Sequence, residues 1–236
     1  MIPWHPLIKI IKAQGNILMV YKPCGVLSHP NTSDICKQSL MLAPYDISSQ
    51  AYKTAEGPIY LLNRLDSPTS GLVVLCTQAT TAKQIRQLFK NHKVKKIYQA
   101  IVKGRFVHQD TIWQDRLQIE KNHPNLRTYR TSSADGILAK TTVKGLQTLD
   151  CHGEPFSLIQ LTPITGRTHQ LRVQCAQHHF PILGDKTYGD FKYNRRLKTE
   201  RLYLHACSIT FTIGTQKIEG HCKSNFLENI QQILRF

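Results

Sequence analysis

The apolar residues of this chain come in short runs, and that distribution limits the fold more than any other feature. Ile17 to Tyr21, Gly71 to Thr77, Lys95 to Gly104, Thr141 to Leu149, Phe156 to Thr162 and Leu202 to Ile213 are rich in Val, Ile, Leu, Tyr and Phe. Pro23, Gly25, Gly104 or polar clusters bound several of them. Runs of this length and composition read as strands. Helical spacing is rarer. Ala82, Ile85, Leu88 and Phe89 form an apolar face, with Thr80 or Thr81 as the expected cap of a helix reaching about His92. A helix is also expected from about His169 to His178, a short one around Lys37 to Leu42, and a terminal one over Phe226 to Leu234. Val26 to Pro58 otherwise reads as irregular, and Arg105 to Ala139 as hairpins and loops. Strands outnumber helices without alternating with them, which favours an α+β fold over a doubly wound α/β sheet. No apolar run approaches the ~20 residues of a membrane helix.

The 236 residues suffice for one sizeable domain or for two small lobes sharing a core. We expect a single domain over residues 1–236. The formal charge is +16. Such an excess says nothing of the fold but predicts attraction to a polyanion, with nucleic acid ahead of an anionic membrane surface. Lys9 and Lys12 interrupt the N-terminal apolar stretch, so no signal peptide is expected, and a cytoplasmic location follows. The seven cysteines are odd in number and form no Cys-x-x-Cys pair. They read as free thiols and small buried side chains, with no metal site. No glycine-rich phosphate loop or dinucleotide fingerprint is present.

Asn63-Arg64-Leu65-Asp66-Ser67-Pro68-Thr69-Ser70-Gly71-Leu72 places one acid beside one arginine, ahead of a turn and a strand. No other Asp or Glu occurs between Asp66 and Asp110, while Lys and Arg accumulate in that interval. A lone carboxylate in a basic stretch suits an enzyme acting on a polyanion. An acid in Asp-x-Pro also commonly caps a turn.

Four motifs in order resemble the RluA-type pseudouridine synthases. Val20-Tyr21-Lys22-Pro23-Cys24-Gly25-Val26-Leu27-Ser28-His29-Pro30 is similar to that family's opening strand and Lys-Pro-x-Gly turn. Arg64-Leu65-Asp66 with Thr69-Ser70-Gly71-Leu72 resembles its catalytic loop. Lys96-Ile97-Tyr98-Gln99-Ala100 resembles its tyrosine-bearing strand. Pro163-Ile164-Thr165-Gly166-Arg167-Thr168-His169-Gln170-Leu171-Arg172-Val173, followed by Pro181 to Asp185, Tyr188-Gly189 and Leu204-His205-Ala206, resembles its C-terminal motifs. One position departs: Asn63 stands where the family usually has His.

The resemblance implies a mixed, mainly antiparallel sheet with flanking helices and loops around an RNA-binding cleft, and no separate N-terminal RNA-binding module. It implies isomerisation of uridine to pseudouridine in ribosomal or transfer RNA, without metal or cofactor, by a protein expected to be a monomer. Asp66 would start the reaction, by attack on the anomeric carbon or by assisting loss of the 2′ proton. Arg172 would be the cation that keeps the carboxylate ionised. Tyr98 would lie against the uracil and could take the proton from the ring carbon. Arg64 would fill the space left by the flipped base; its other reading is a salt bridge to Asp66. Arg167 and His169 suit phosphate contact or support of the Asp66 loop. Leu171 would line the substrate pocket or the core. The basic elements Lys83 to Arg105 and Lys192 to Arg201 would hold the RNA backbone. Two rivals stand beside this reading. One is an RNA-binding or RNA-folding module that has lost activity. The other is a glycoside-type hydrolase, which needs a second carboxylate such as Asp185.

Overall fold

A computed structural model describes residues 2–30, 37–106, 110–119, 129–131, 136–151 and 153–226. The chain divides into two compact units, one of residues up to Lys95 with Ala206–Lys223, the other of Lys96–His205 with the residues from Ser224.

The first unit holds β1 (Lys9–Gln14), β2 (Ile17–Lys22), β3 (Tyr45–Asp46), β4 (Ala51–Thr54), β5 (Gly57–Leu61), β6 (Ser70–Cys76) and α1 (Ala79–Lys90). Farther along the chain, β12 (Leu204–Ile213) and β13 (Gln216–His221) contribute to it. All seven residues of β6 are buried, as expected for a Val- and Leu-rich strand covered on both faces. It pairs antiparallel with β2, in the register Ile17↔Cys76 to Lys22↔Gly71. Ile17, Met19, Leu72, Val74 and Cys76 pack with Ala82 and Ile85 of α1 and with Ile209, Phe211 and Ile218. Leu88 and Phe89 pack against that core from the edge, so the apolar stripe of α1 is used as its spacing predicts.

The cap of α1 differs from expectation. The helix begins at Ala79, so its cap is Gln78, and Thr80 and Thr81 fall within the first turn. The Thr81 hydroxyl bonds the Gln78 side chain at 2.7 Å instead of a backbone amide. The short helix expected around Lys37 to Leu42 is also absent. That segment pairs with the turn after β2: Leu27 N–H donates to Gln38 C=O at 2.7 Å and Leu40 N–H to Leu27 C=O at 3.0 Å. Leu40 and Met41 are fully buried, so burial and these cross-chain bonds outweigh local helix propensity.

The second unit is built on β7 (Lys95–Lys103), β8 (Thr111–Ile119), β9 (Tyr129–Thr131), β10 (Ile137–Cys151) and β11 (Glu154–Pro163), with α2 (Gln170–Gln177) and α3 (Phe191–Arg196). Its strands run in the order β7-β11-β10-β8-β9, each pair antiparallel. The core gathers Ile101, Trp113, Phe156, Ile159, Leu161, Leu171, Cys175, Tyr203 and Phe226. The terminal helix expected over Phe226 to Leu234 lies, beyond Phe226, outside the described residues. Short helices added to mainly antiparallel strands make the fold α+β, as the sequence pattern indicates.

Candidate active site

The Asp66 loop is fastened to the turn that follows β2. The Ser28 hydroxyl donates to the Leu65 carbonyl at 2.8 Å and accepts from the Leu65 N–H at 2.9 Å. One buried side chain thus satisfies both backbone groups of the residue before Asp66. Gly25 N–H donates to Ser67 C=O at 2.8 Å, and the Ser67 hydroxyl returns a bond to Gly25 C=O at 3.1 Å. Lys22 is fully buried, and its ammonium donates to the carbonyls of Pro23, Val26 and Ser67 at 3.0, 2.7 and 3.0 Å. These bonds hold the backbone on either side of Asp66. Thr69 N–H closes the turn on the Asp66 carbonyl at 2.9 Å.

Beyond the turn, Gly71 enters β6 with φ +124°. A Cβ there would lie 2.4 Å from the Ala206 carbonyl oxygen, so only glycine fits this approach of the backbones. Asn63 has a structural task. Its Oδ1 accepts from Val74 N–H at 2.7 Å, while its amide donates to Leu72 C=O at 3.4 Å. The side chain therefore stands in for a strand partner along β6.

Arg64 is exposed and Asp66 partly so. The arginine bonds His29, Nη1 to Nε2 at 3.1 Å, rather than forming a salt bridge with its neighbour Asp66. His29 Nδ1 lies 2.7 Å from the Pro30 carbonyl, which can only accept, so Nδ1 carries the proton and Nε2 is free to accept from Arg64. Burial lowers the His29 pKa; the Pro30 bond opposes this and the Arg64 charge adds to it. The neutral ring stacks on Tyr45 at 4.9 Å. One terminal nitrogen of the Arg64 guanidinium is thus held by an uncharged partner while the residue stays exposed.

In the second unit, Tyr98 stands on β7 opposite Leu161 and is partly buried against the core. Arg172 is buried within α2 and makes a two-pronged bond to Asp185, Nε to Oδ2 at 2.8 Å and Nη2 to Oδ1 at 2.7 Å. Asp185 Oδ1 also accepts the N–H groups of Thr187 and Tyr188 at 2.8 and 3.1 Å. Burial pushes the Asp185 carboxyl up, but the Arg172 bonds and charge, with the two amides, outweigh it and leave the pKa below its ordinary value. A carboxylate so committed is a poor general acid, which weighs against the hydrolase reading.

His169 caps α2 in the left-handed region, with φ 56°, and its Nδ1 lies 2.8 Å from the Tyr188 hydroxyl. The Tyr188 ring centroid lies 5.1 Å from the Arg172 guanidinium, so Tyr188 touches both residues. Arg167 is exposed, with Nε bonded to Leu138 C=O at 3.2 Å. Leu171 is buried in the core of the second unit.

Gln170 had no role in the sequence reading, yet it organises this loop. Its Oε1 accepts from the Thr165 hydroxyl at 2.8 Å and from Arg167 N–H at 3.0 Å. Its amide donates to Lys140 C=O at 3.1 Å and to the Thr141 hydroxyl at 2.9 Å. Lys22 and Ser28 likewise stand within a motif whose residue types do not reveal these bonds. The one local signal for Lys22 was a lysine closing an otherwise apolar strand.

Residues 16–177 match the family model for RNA pseudouridylate synthase. The chain belongs to the RNA pseudouridylate synthase family. It is therefore, by class, an isomerase of uridines in RNA. The chain is similar to ribosomal large subunit pseudouridine synthase D of Borreliella burgdorferi, with 34% identity over 88% of this chain, and spans 62% of that relative's length. It is also similar to the dual-specificity RNA pseudouridine synthase RluA of Haemophilus influenzae, with 30% identity over 95% of this chain and 96% of that one. These relatives agree with the RluA type that the motif order suggests. Among solved structures, human RNA pseudouridylate synthase domain containing 1 shares the fold, with a TM-score of 0.76 and 24% identity over 96% of this chain and 87% of that one. No helix among the described residues is long and apolar enough to cross a membrane.

Proposed function

We propose that this chain is a working RNA pseudouridine synthase that isomerises particular uridines of ribosomal or transfer RNA after flipping the base from its stack. The observation that carries the reading is the clamped Arg64-Leu65-Asp66 loop. Ser28 holds both backbone groups of Leu65. Arg64, held by the neutral His29, keeps an exposed guanidinium next in the chain to a partly exposed acid. An acid meant only to cap a turn needs no such scaffold.

Asp66 starts the reaction at the sugar. Arg172 supplies the positive charge that favours an ionised carboxylate. Tyr98 takes the uracil ring and the proton from its carbon. Arg64 occupies the space of the flipped base, and Arg167 and His169 contact the strand. Leu171 backs the substrate pocket from the core. Detaching, turning and rejoining a base leaves no net redox change, so the reading calls for no cofactor and no metal. The whole chain serves as one catalytic domain, as a monomer in the cytoplasm, and the charge of +16 draws the RNA in.

The test maps pseudouridine across ribosomal and transfer RNA from cells lacking the protein and from cells with it restored. One or a few sites should return with the natural chain and not with Asp66→Ala, while the variant still binds RNA. Sites that return with Asp66→Ala would sink the assignment. Free uracil in place of pseudouridine would favour the hydrolase.

A further inference from the structure

Lys103 and Lys96 lie on the same strand, β7, and meet opposite fates. The Lys103 ammonium is paired with Asp190 at 2.8 Å and lies 4.5 Å from the Tyr193 ring centroid. Lys96 is half-buried, and desolvation lowers its pKa. Among the described residues its ammonium has no carboxylate and no hydrogen-bond acceptor. A half-buried ammonium with no acceptor in the protein is placed to receive an anion from outside.

The surroundings indicate which anion. Strand alternation puts Lys96 on the same side of β7 as Tyr98, two residues on. The pairing of β7 with β11 reaches Leu161↔Tyr98, and β11 then runs on to Pro163 and into the Thr165-Gly166-Arg167 turn. This brings the Lys96 ammonium to 3.5 Å from the point where a Gly166 Cβ would stand. Gln170 pins the residues on both sides of Gly166, through the Thr165 hydroxyl and the Arg167 N–H. The Gly166 N–H itself donates to no described group. An ammonium with three donors, a spare backbone N–H, and the exposed Arg167 next in the chain suit the oxygens of a phosphodiester.

We propose that Lys96 is a further RNA-contacting residue, whose ammonium over the Gly166 turn takes a phosphate oxygen of the strand that presents the target uridine. The proposal rests on the reading of the chain as an RNA pseudouridine synthase. It singles Lys96 out from the basic stretch around it, since Lys83, Lys90, Lys93 and Lys95 are exposed to solvent.

The experiment measures RNA affinity against salt for the full chain, Lys96→Met, Lys96→Arg and Gly166→Ala. The probe is whichever full-length unmodified ribosomal or transfer RNA transcript the natural chain binds most tightly. Lys96→Met should raise Kd by about fivefold at moderate salt and reduce the salt slope by about one. Lys96→Arg should restore both. Gly166→Ala sets a methyl group against the ammonium at ordinary contact distance and should weaken binding with the lysine intact. In turnover assays the defect of Lys96→Met should fall on KM more than on kcat, since one phosphate contact holds ground and transition states alike. Natural Kd and slope in Lys96→Met, or lost turnover at unchanged Kd, would overturn the proposal. If Lys96→Met fails to fold, as read by circular dichroism, natural binding by Gly166→Ala overturns it instead. Failure of the underlying reading looks different: the natural chain then forms no pseudouridine in a transcript that it binds.

Discussion

Replacing Ser28 by alanine tests whether the clamp on the Asp66 loop matters. The serine is 5% exposed and Leu65 7% exposed, so neither end of the lost bonds has ready access to water. The substitution removes one acceptor and one donor, leaving the Leu65 N–H and C=O both unmet. A buried polar group stripped of its partner costs about 1–3 kcal/mol. Some relaxation of the turn lowers the sum, so we expect a loss of about 2–4 kcal/mol, a large share of a typical total of about 5–15 kcal/mol. Urea unfolding followed by fluorescence reads this as a lower midpoint at unchanged slope. The same change frees the backbone before Asp66. A displacement of about 1 Å costs on the order of 100-fold in a positioned reaction, so kcat should fall steeply while KM moves little. Tyr52→Phe is the matching control. It removes the 2.8 Å bond to the Ser28 carbonyl but spares the clamp, so it should cost about 1 kcal/mol with turnover largely kept. Ser28→Ala with natural stability and natural kcat would refute the argument that this hydroxyl positions the loop.

Two further outcomes follow from the packing. Asp185→Asn replaces one of the two Asp185 oxygens bonded to the buried Arg172 guanidinium and should cost about 3 kcal/mol, measured by urea unfolding; a loss under about 1 kcal/mol would show the pair to be dispensable. Because the folded-state Asp185 pKa is depressed, its contribution is complete above the unfolded value of about 3.9 and fades as pH falls through the lower folded value, so the natural chain should lose more stability than Asp185→Asn on acidification below about pH 4. Gly71→Ala forces a Cβ against the Ala206 backbone at a φ that L-residues rarely adopt, and should lower Tm by about 10 °C or abolish soluble expression; an unchanged melting curve would mean that β6 and β12 separate at little cost.

The two long helices show why part of the fold was legible and part was not. α1 could be read from spacing because its apolar stripe packs on an apolar core through Ala82 and Ile85. α2 lies where a helix is expected, but which of its side chains are buried could not be read, since Gln170, Arg172 and Gln174 are buried along with Leu171 and Val173. Each of those polar groups meets a specific partner, as when the Gln174 carbonyl oxygen accepts from the Thr141 hydroxyl at 2.6 Å. Periodicity cannot reveal burial that depends on partners distant in the chain. β1, β4, β5, β13 and α3, by contrast, carry too weak a local signal to be read as elements at all. The β1 residues Lys9, Ile10 and Ile11 are exposed, and the others are short or polar, so their apolar signal is weak.

Sequence alone determined the strand-rich α+β character, the basic charge and, through motifs in order, the family and the identity of Asp66, Tyr98 and Arg172 as candidates. These are properties of residue type and spacing along one chain. Only the tertiary structure decided what holds the candidates. It assigned Ser28 and Lys22 to the backbone around Asp66, His29 to Arg64, Asp185 to Arg172 and Gln170 to the turn beside Lys96. Hydrogen bonds across large sequence separations leave little trace in local pattern, because a serine or a glutamine reads as ordinary surface polarity until the fold shows that it is buried.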